Sequence, residues 1–295
     1  MVKRSIFIIF LFMTFLSFAQ DDRKIVAVLP FSPRGAIENV DNLINIITDS
    51  LASSMSKNYN VIDRTHLIKV LGDLGIQKDN VFYKNTLDEI GKMTNANIVV
   101  MGNLTRYDNM YYLSFRGVDL KTGITLFANN TRSPNIKGFM TIKTYENLVR
   151  GTKFLSEVDN NKKKVIIPRF ESREKKNEPI FMELLTDNFV IAMVKSGKYN
   201  LLERSEIDKA MADLRFQVND LLDKSNMEKI DILKEVDILI TGEVREFEKK
   251  YFISASGIDI ESGIIVFSEK RDFVKNKNLL LTIVDDMANP KTRNR

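Results

Sequence analysis

The sequence predicts an α/β fold in which two tandem copies of one β-α-β-α-α-β-β-β-α sandwich each pack helices on a mixed sheet. The prediction rests on a phrase that occurs twice, on an apolar strand that opens each half, and on helical periodicity after each strand. YNVIDRTH begins at Tyr59, and YNLLERSE begins at Tyr199, 140 residues later. The same offset relates Gly102 to Gly242. A constant offset over such a length is typical of a duplicated structural unit.

Each copy opens on a strand followed by a helix. The opening strands are KIVAVLPF at residues 24–31 and KVIIPRF at residues 164–170. Continuous runs of Val, Ile and Leu indicate strands that helices cover on both faces. The apolar residues that follow recur at three- and four-residue intervals, which predicts an amphipathic helix. They are Val40, Leu43, Ile46, Ile47, Leu51 and Met55 in the first copy, and Phe181, Leu184, Leu185, Phe189, Ala192 and Met193 in the second.

The repeated phrase predicts a short second strand that leads into a second helix. Thr65 and Ser205 are expected to cap these helices, because a hydroxyl can accept a hydrogen bond from a free amide of the first turn. The predicted second strands lie at residues 59–62 and 199–202, and further short helices lie at residues 84–94 and 224–234.

Three consecutive strands and a closing helix are expected to complete each copy. The connections DLKTG and DIESG place Asp first and Gly last, which is typical of a hairpin, since Asp bonds its own turn and Gly takes a positive φ. The predicted strands are residues 97–104, 110–118 and 124–129, with 237–244, 250–258 and 264–268 in the second copy. The closing helices are predicted at residues 141–157 and 276–288.

The chain is expected to divide into a signal peptide, two domains, a linker and a tail. Lys3 and Arg4 precede an apolar run that ends in Ser17-Phe18-Ala19, which is typical of a secretory signal cleaved after Ala19. The alternative is an uncleaved anchor, although the run is short for a bilayer span. The predicted limits are 1–19 for the signal, 20–158 for domain 1, 159–164 for the linker, 165–289 for domain 2 and 290–295 for the tail.

The composition is that of a folded, secreted protein without disulfides. The apolar fraction is 44%, the charged fraction is 28%, and the formal net charge is +5. Because no basic stripe accompanies this charge, a nucleic-acid partner is not expected. The absence of cysteine excludes disulfides and thiolate metal sites, and also the lipid attachment of a bacterial lipoprotein. Location in the periplasm is expected, and membrane contact, if any, would not depend on lipidation.

The sequence offers no recognisable catalytic constellation. Its one histidine, His66, has Glu206 at the equivalent place of the second copy, so a repeated His-centred triad or zinc cluster is not expected. Neither opening strand leads into a glycine-rich phosphate loop. We therefore expect a non-enzymatic protein without a cofactor or metal.

The candidate site residues are two acid–arginine pairs, Asp63-Arg64 and Glu203-Arg204. Each pair lies where a strand ends and a helix begins, the edge at which α/β folds often bind ligands. Their guanidinium groups could bind an anionic group of a partner. Alternatively, each arginine ties the start of its helix to a neighbouring segment, which would explain why both copies have the pair.

The motifs of both copies resemble those of the CsgG family, which includes the curli secretion channel subunit. The LpoB family and the amino-terminal domain of TolB are similar to it in fold. The matching segments are residues 27–31, 61–64 and 96–102 in the first copy, and 165–170, 201–204 and 236–242 in the second. The resemblance implies an envelope assembly protein with an unidentified envelope protein partner, and it leaves a homo-oligomer open. The alternative that it implies is a subunit of an oligomeric outer-membrane secretion channel.

Overall fold

The computed structural model describes residues 23–76, 84–155, 157–172, 179–248 and 250–274. The predicted signal peptide (residues 1–19), the closing helix predicted at residues 276–288 and the tail lie entirely outside these ranges. Within them, the chain forms two six-stranded mixed sheets with helices packed on them. The predicted α/β class, with two units built from a sheet and helices, is confirmed.

Sheet 1 belongs to the first unit and has the strand order β3-β1-β4-β5-β6, with β2 also paired to β4. β1 runs parallel to β3 and β4, and β4, β5 and β6 form an antiparallel meander. The elements are β1 (Ile25–Val28), β2 (Ser32–Arg34), α1 (Val40–Met55), β3 (Asn60–Val61), α2 (Arg64–Asp73), α3 (Lys84–Thr94), β4 (Ile98–Tyr107), β5 (Met110–Asp119), β6 (Thr125–Ser133), a 3-10 helix (Ile136–Phe139) and α4 (Ile142–Arg150).

Sheet 2 has the corresponding order, β12-β11-β10-β7-β9, with β8 also paired to β10. β7 is parallel to β9 and β10, and the last three strands again form an antiparallel meander. The elements are β7 (Lys164–Ile166), β8 (Glu171–Ser172), α5 (Pro179–Ser196), β9 (Asn200–Leu201), α6 (Ser205–Leu214), a 3-10 helix (Val218–Leu222), α7 (Lys224–Met227), a 3-10 helix (Asp231–Glu235), β10 (Ile238–Phe247), β11 (Lys250–Asp259) and β12 (Ile265–Val274).

The two meanders share their register as well as their strand order. Ile98 pairs with Asp119 in sheet 1, and Ile238 pairs with Asp259 in sheet 2. Both hairpins close as the sequence predicts, because each aspartate carboxylate accepts a hydrogen bond from a backbone amide three residues later, at 3.0 Å. Gly123 follows in the left-handed region with φ of 69°, which an L side chain rarely adopts.

Sheet 1 is covered on both faces, sheet 2 is covered on one face and on part of the other, and the two units share one covering helix. In the first unit, α1 and α4 cover one face, and α2 and α3 cover part of the other. In the second unit, α6 and the short helices cover part of one face, while α5 covers the opposite face. The far side of α5 packs on sheet 1, where Tyr107, Tyr112 and Ala128 join its apolar cluster. α5 is consequently buried on nearly all sides.

Several local details differ from the sequence prediction. The helix expected at residues 224–234 is divided into α7 and a 3-10 helix, because Ile230 between them is extended and buried. Thr65 is not the cap of α2: Asp63 is, and it accepts a hydrogen bond from the His66 amide at 3.1 Å. Ser205 is likewise not a cap, since α6 begins at that residue.

The closing helix of the first unit is shorter than the predicted 141–157. α4 ends at Arg150, and its last turn is held by polar side chains. The carbonyl of Leu148 accepts hydrogen bonds from Asn129 Nδ2 at 3.0 Å and from Thr152 Oγ1 at 2.7 Å. In a longer helix, this carbonyl would accept a hydrogen bond from a backbone amide of the next turn. Because side chains satisfy it instead, the helix can end here.

Candidate functional site

The first acid–arginine pair fixes the start of α2 against the outer surface of α1. Arg64 Nη1 donates to both carboxylate oxygens of Asp49, at 2.7 and 2.6 Å, and Arg64 Nη2 donates to the side-chain oxygen of Asn45. Asp63 caps α2, as described above. The Asp49 side chain is 56% exposed, so this ion pair lies at the protein surface.

The second pair has the same relation to α5, but it is buried. Arg204 Nη2 donates to Glu183 Oε2 at 2.6 Å and to Asp187 Oδ1 at 3.0 Å. The residues before Asp49 and Asp187 are Thr48 and Thr186. The Thr48 hydroxyl accepts a hydrogen bond from the Phe31 amide, and the Thr186 hydroxyl accepts one from the Phe170 amide, each at the end of a predicted opening strand. The aspartates therefore occupy equivalent positions of their helices, although the Asp187 side chain is only 6% exposed.

The first unit is what buries the second pair. Arg34 Nη1 donates to Asp187 Oδ2 at 2.9 Å, and Asn103 Nδ2 donates to the same oxygen at 3.1 Å. Glu203 is not used as a cap, unlike Asp63. Its carboxylate accepts from Arg116 of β5, Nε at 2.5 Å and Nη2 at 2.7 Å. The pair thus belongs to a polar network that crosses the boundary between the units.

Charges of opposite sign determine the protonation of this network. Burial opposes ionisation of Glu183, but Arg204 and Arg34 outweigh it and lower the pKa of this carboxyl to about 2. Glu203 is also buried, and Arg116 outweighs that burial to lower its pKa. Asp208 differs, because burial raises its pKa even though Arg204 lies 3.7 Å away. The network therefore consists mainly of fixed ion pairs.

An open cleft of about 300 Å³ adjoins this network. Its walls include Arg34, Asn103, Arg116, Glu183, Glu203, Arg204, Ser205, Asp208, Lys209 and Ala212. Arg204 Nη1 is buried and finds no hydrogen-bond acceptor in the described part of the chain. Positive and negative groups are nearly balanced around the cleft, so it has no strong preference for an anion. The chemistry of the network suits a joint between two units better than catalysis.

A second candidate surface lies on sheet 2, opposite α5. We call it the open face. Its polar and aromatic side chains point away from α5, because the residues that alternate with them, such as Val244 and Ile253, are buried against that helix. The open face includes Glu243, Arg245 and Phe247 of β10, Lys250, Phe252 and Ser254 of β11, and Ser268, Lys270 and Asp272 of β12. Lys250 Nζ donates to Asp272 Oδ2 at 2.7 Å.

The sequence prediction located the acid–arginine pairs but missed their partners. The structure brings Glu203 and Arg204 together with Arg34, Asn103, Arg116 and Asp187. Asp63 caps α2 and Arg64 contacts α1 instead. No periodic or motif signal in the sequence distinguishes Arg34 or Arg116 from surface arginines. Among the described residues, no group of three His, Asp or Glu side chains could hold a metal ion. None of the described helices combines the length and the apolar character that a membrane span requires.

Comparison with known proteins points to the second unit. Residues 145–273 match the family model described as "Peptidoglycan-synthase activator LpoB". This segment contains most of α4 and nearly all of the described second unit. No curated protein matches the chain.

Three similar solved structures illustrate the likeness, and each covers less than half of this chain. The LpoB C-terminal domain from Salmonella enterica has 14% identity and a TM-score of 0.31, and it covers 38% of this chain and 82% of that chain. Lipoprotein GNA1162 from Neisseria meningitidis has 12% identity and a TM-score of 0.31, with 44% and 99% coverage. TolB from Acinetobacter baumannii has 10% identity and a TM-score of 0.30, with 45% and 28% coverage.

Proposed function

We propose that this protein is a non-enzymatic interaction protein of the bacterial cell envelope, and that its second unit binds and regulates a protein partner. The match of residues 145–273 to a family of peptidoglycan-synthase activators carries this proposal. The matched segment includes nearly all of sheet 2 and both helix layers that pack on it. A peptidoglycan synthase is therefore the partner to test first.

The proposed location is the periplasm. The sequence supports this location with a secretory signal pattern at residues 1–19, and with the absence of a cysteine that could carry a lipid. A lipid-free activator must find its partner by diffusion or by protein contacts alone. Its binding surface would then need to supply the whole affinity.

We further propose that the two units are copies that arose by duplication of one CsgG-like domain. Two features support this history: the strand orders of the sheets correspond, and the meanders share a register at an offset of 140 residues. The equivalent threonine–aspartate positions on α1 and α5 add a third feature. After duplication, the first unit would have become the support that covers α5 of the second.

For the acid–arginine pairs, we propose a structural role. Arg64 and Arg204 each connect the first residue or cap of a helix to the preceding helix, through carboxylates. The Arg204 side chain is only 8% exposed, and Glu183 and Asp187 both accept from its Nη2. Asp63 and Arg64 remain accessible at the surface, so a contact with a partner would add to their structural role.

The alternative, a subunit of an oligomeric outer-membrane secretion channel, would need strands that face lipid. A strand that crosses a membrane needs about 9–11 residues. β5 (Met110–Asp119), predicted from the sequence at residues 110–118, has ten residues. It lies between β4 and β6, and its Leu113 and Phe115 are buried beneath α1. An alkaline carbonate wash of native membranes tests this alternative, and we expect the protein in the washable fraction. Release by detergent alone, of a chain whose amino terminus is Gln20, would favour the channel, whereas an intact signal segment would indicate an uncleaved anchor.

The proposed function is tested with the purified chain from residue 20 onward and a peptidoglycan synthase from the same bacterium. We expect saturable binding in biolayer interferometry, with a Kd of about 1 µM or tighter, and faster glycan polymerisation when the chain is added. Residues 20–158 alone are not a suitable control, because the units share α5. An unrelated periplasmic protein of similar charge serves instead. Equal signals for both proteins would contradict the proposal.

A further inference from the structure

The open face of sheet 2 corresponds to a covered face of sheet 1. In sheet 1, Tyr107 and Tyr112 are 8% and 4% exposed. At the same positions of sheet 2, Phe247 and Phe252 are 65% and 41% exposed. The strand pairing places the two aromatic pairs at equivalent positions. Arg245 pairs with Phe252 in sheet 2, and Thr105 pairs with Tyr112 in sheet 1. The two faces therefore share a framework and differ in what covers them.

In sheet 1, the covering element is α5. The ring of Phe181 lies between Tyr107, at a centroid distance of 5.5 Å, and Tyr251 of its own sheet, at 5.2 Å. Asn130 Nδ2 on β6 donates a hydrogen bond to Asn188 Oδ1 of α5, and Asn103 Nδ2 on β4 donates one to Asp187 Oδ2 of α5. The helix thus contacts the sheet through an aromatic residue at one end and polar side chains along its length.

The edge of sheet 1 beside this helix is also occupied. Ile124, just before β6, forms an isolated bridge with Leu202, and the Glu203 amide donates to the Gly123 carbonyl at 3.0 Å. Ile124 is consequently buried. In sheet 2 the equivalent residue is Ile264, and it is exposed together with Ile265 and Val266. The start of β12 therefore presents an apolar edge next to the open face.

We propose that the open face of sheet 2 binds an amphipathic helix of a protein partner, in the manner in which sheet 1 binds α5. This inference rests on the proposed function, because it specifies the surface and the chemistry by which the partner is recognised. Buried aromatic residues are the usual anchors of such interfaces, and Phe247 and Phe252 are placed to act as anchors. A helix that lays its apolar side into a groove is a common mode of peptide recognition.

The side chains of the open face specify the partner helix further. Where sheet 1 has Met110 and Asn130, sheet 2 has Lys250 and Lys270. Lys250 is paired with Asp272 of the same face at 2.7 Å, so Lys270 is the cation that a carboxylate of the partner would meet. Because Phe247 and Phe252 are exposed aromatic residues, the partner helix should carry an aromatic or long aliphatic residue opposite them. It should carry a carboxylate where α5 has Asn188, so that the carboxylate meets Lys270.

A second copy of this chain fits the open face poorly. Docking of its α1 in the place of α5 would bring Asp49, the counterpart of Asp187, to Glu243, the counterpart of Asn103. Two carboxylates would then replace an amide–carboxylate hydrogen bond. The outward residues of α1 are mostly polar, such as Asn45 and Ser53, and Ile46 is the apolar residue among them. A different protein is therefore the expected occupant.

The surface is tested first by cross-linking in the native bacterium. The full chain carries p-benzoylphenylalanine in place of Phe252, of Phe247, or of Leu214 as the control. Leu214 is an exposed apolar residue of the second unit that lies on α6, outside the open face. We expect an adduct from the two open-face positions only, with attachment to a helix of another protein. An adduct to a second copy or within the same chain, or no adduct beyond the control, overturns the proposal.

The second step measures affinity for the cross-linked protein after its purification. We expect Phe252→Arg and Phe247→Arg to weaken binding about tenfold or more, and Leu214→Arg to leave it unchanged. Circular dichroism melting checks that each variant is folded. Equal affinities for all variants overturn the proposed surface. If a peptidoglycan synthase binds all variants equally, the proposed function stands and the surface fails. If the cross-linked helix belongs to another class of protein, the surface stands and the proposed partner fails.

Discussion

Arg116 on β5 of the first unit and Glu203 at the start of α6 in the second unit form a two-pronged ion pair across the boundary between the units. The side chains are 14% and 9% exposed, so both charges are largely withdrawn from water. Charge-assisted bonds of this geometry are stronger than neutral ones and fix orientation as well as distance. The pair therefore sets how the second unit sits on sheet 1.

We predict that Arg116 and Glu203 are energetically coupled. A double-mutant cycle with Arg116→Met and Glu203→Gln should give a coupling of about 1–3 kcal/mol in the free energy of unfolding, since each single change leaves a buried charge unpaired. Urea denaturation measures the four proteins. Lys57→Met and Glu146→Gln form the matched control, because that 2.8 Å pair is more exposed. Similar couplings in both cycles would contradict the prediction.

Arg204 and Arg64 should differ in their contribution to stability. Arg204→Ala leaves Glu183 and Asp187 buried without their main cation, so we expect a loss of about 3 kcal/mol. Arg64→Ala removes a surface ion pair, and the expected loss is about 1 kcal/mol or less. Urea denaturation of both variants provides the comparison. Equal losses would show that the burial of the second pair has no energetic consequence.

The stability of the protein should depend on pH through Glu183. A carboxyl whose pKa falls from 4.5 to about 2 on folding stabilises the protein while ionised, by about 3 kcal/mol. This stabilisation is present above pH 4.5 and is lost as the pH falls toward 2. Asp208 acts in the opposite direction, because its pKa is raised on folding.

The test compares the free energy of unfolding at about pH 5 and about pH 2.5 for the wild type and for Glu183→Gln. The variant should be less stable at pH 5, because Arg204 loses a partner. It should also lose less stability on acidification than the wild type does. Parallel pH profiles for the two proteins would rule out Glu183 as the titrating group.

Two glycines of the central strands should not tolerate a methyl group. A Cβ at Gly102 would lie 2.1 Å from the Phe31 ring, and one at Gly242 would lie 2.2 Å from the Phe170 ring. Gly102→Ala and Gly242→Ala should each destabilise the protein by about 1–3 kcal/mol. Gly72→Ala is the control, since its Cβ meets nothing within 4 Å in α2. That change should stabilise the helix by up to about 1 kcal/mol, and thermal melting ranks all three.

The sequence was sufficient to predict the two-unit α/β fold and most of its elements. The opening strands, the meanders and the Asp–Gly hairpins follow from local patterns, because strand burial and turn chemistry leave a direct trace in neighbouring residues. The short helix predicted at residues 84–94 agrees with α3, whereas the one predicted at 224–234 does not form as a single helix. Ile230 interrupts the segment at 224–234 because it inserts into the core, and this contact depends on residues far away in the chain.

The sequence by itself determined that each half would have an acid and an arginine at the start of a helix. Only the tertiary structure decided that Arg204 would be buried while Arg64 stays near the surface, and that Glu203 would turn away from its helix to Arg116. The physical reason is that burial depends on the surface that is brought against a residue. The first unit supplies that surface to α5, and nothing among the described residues supplies it to the open face of sheet 2.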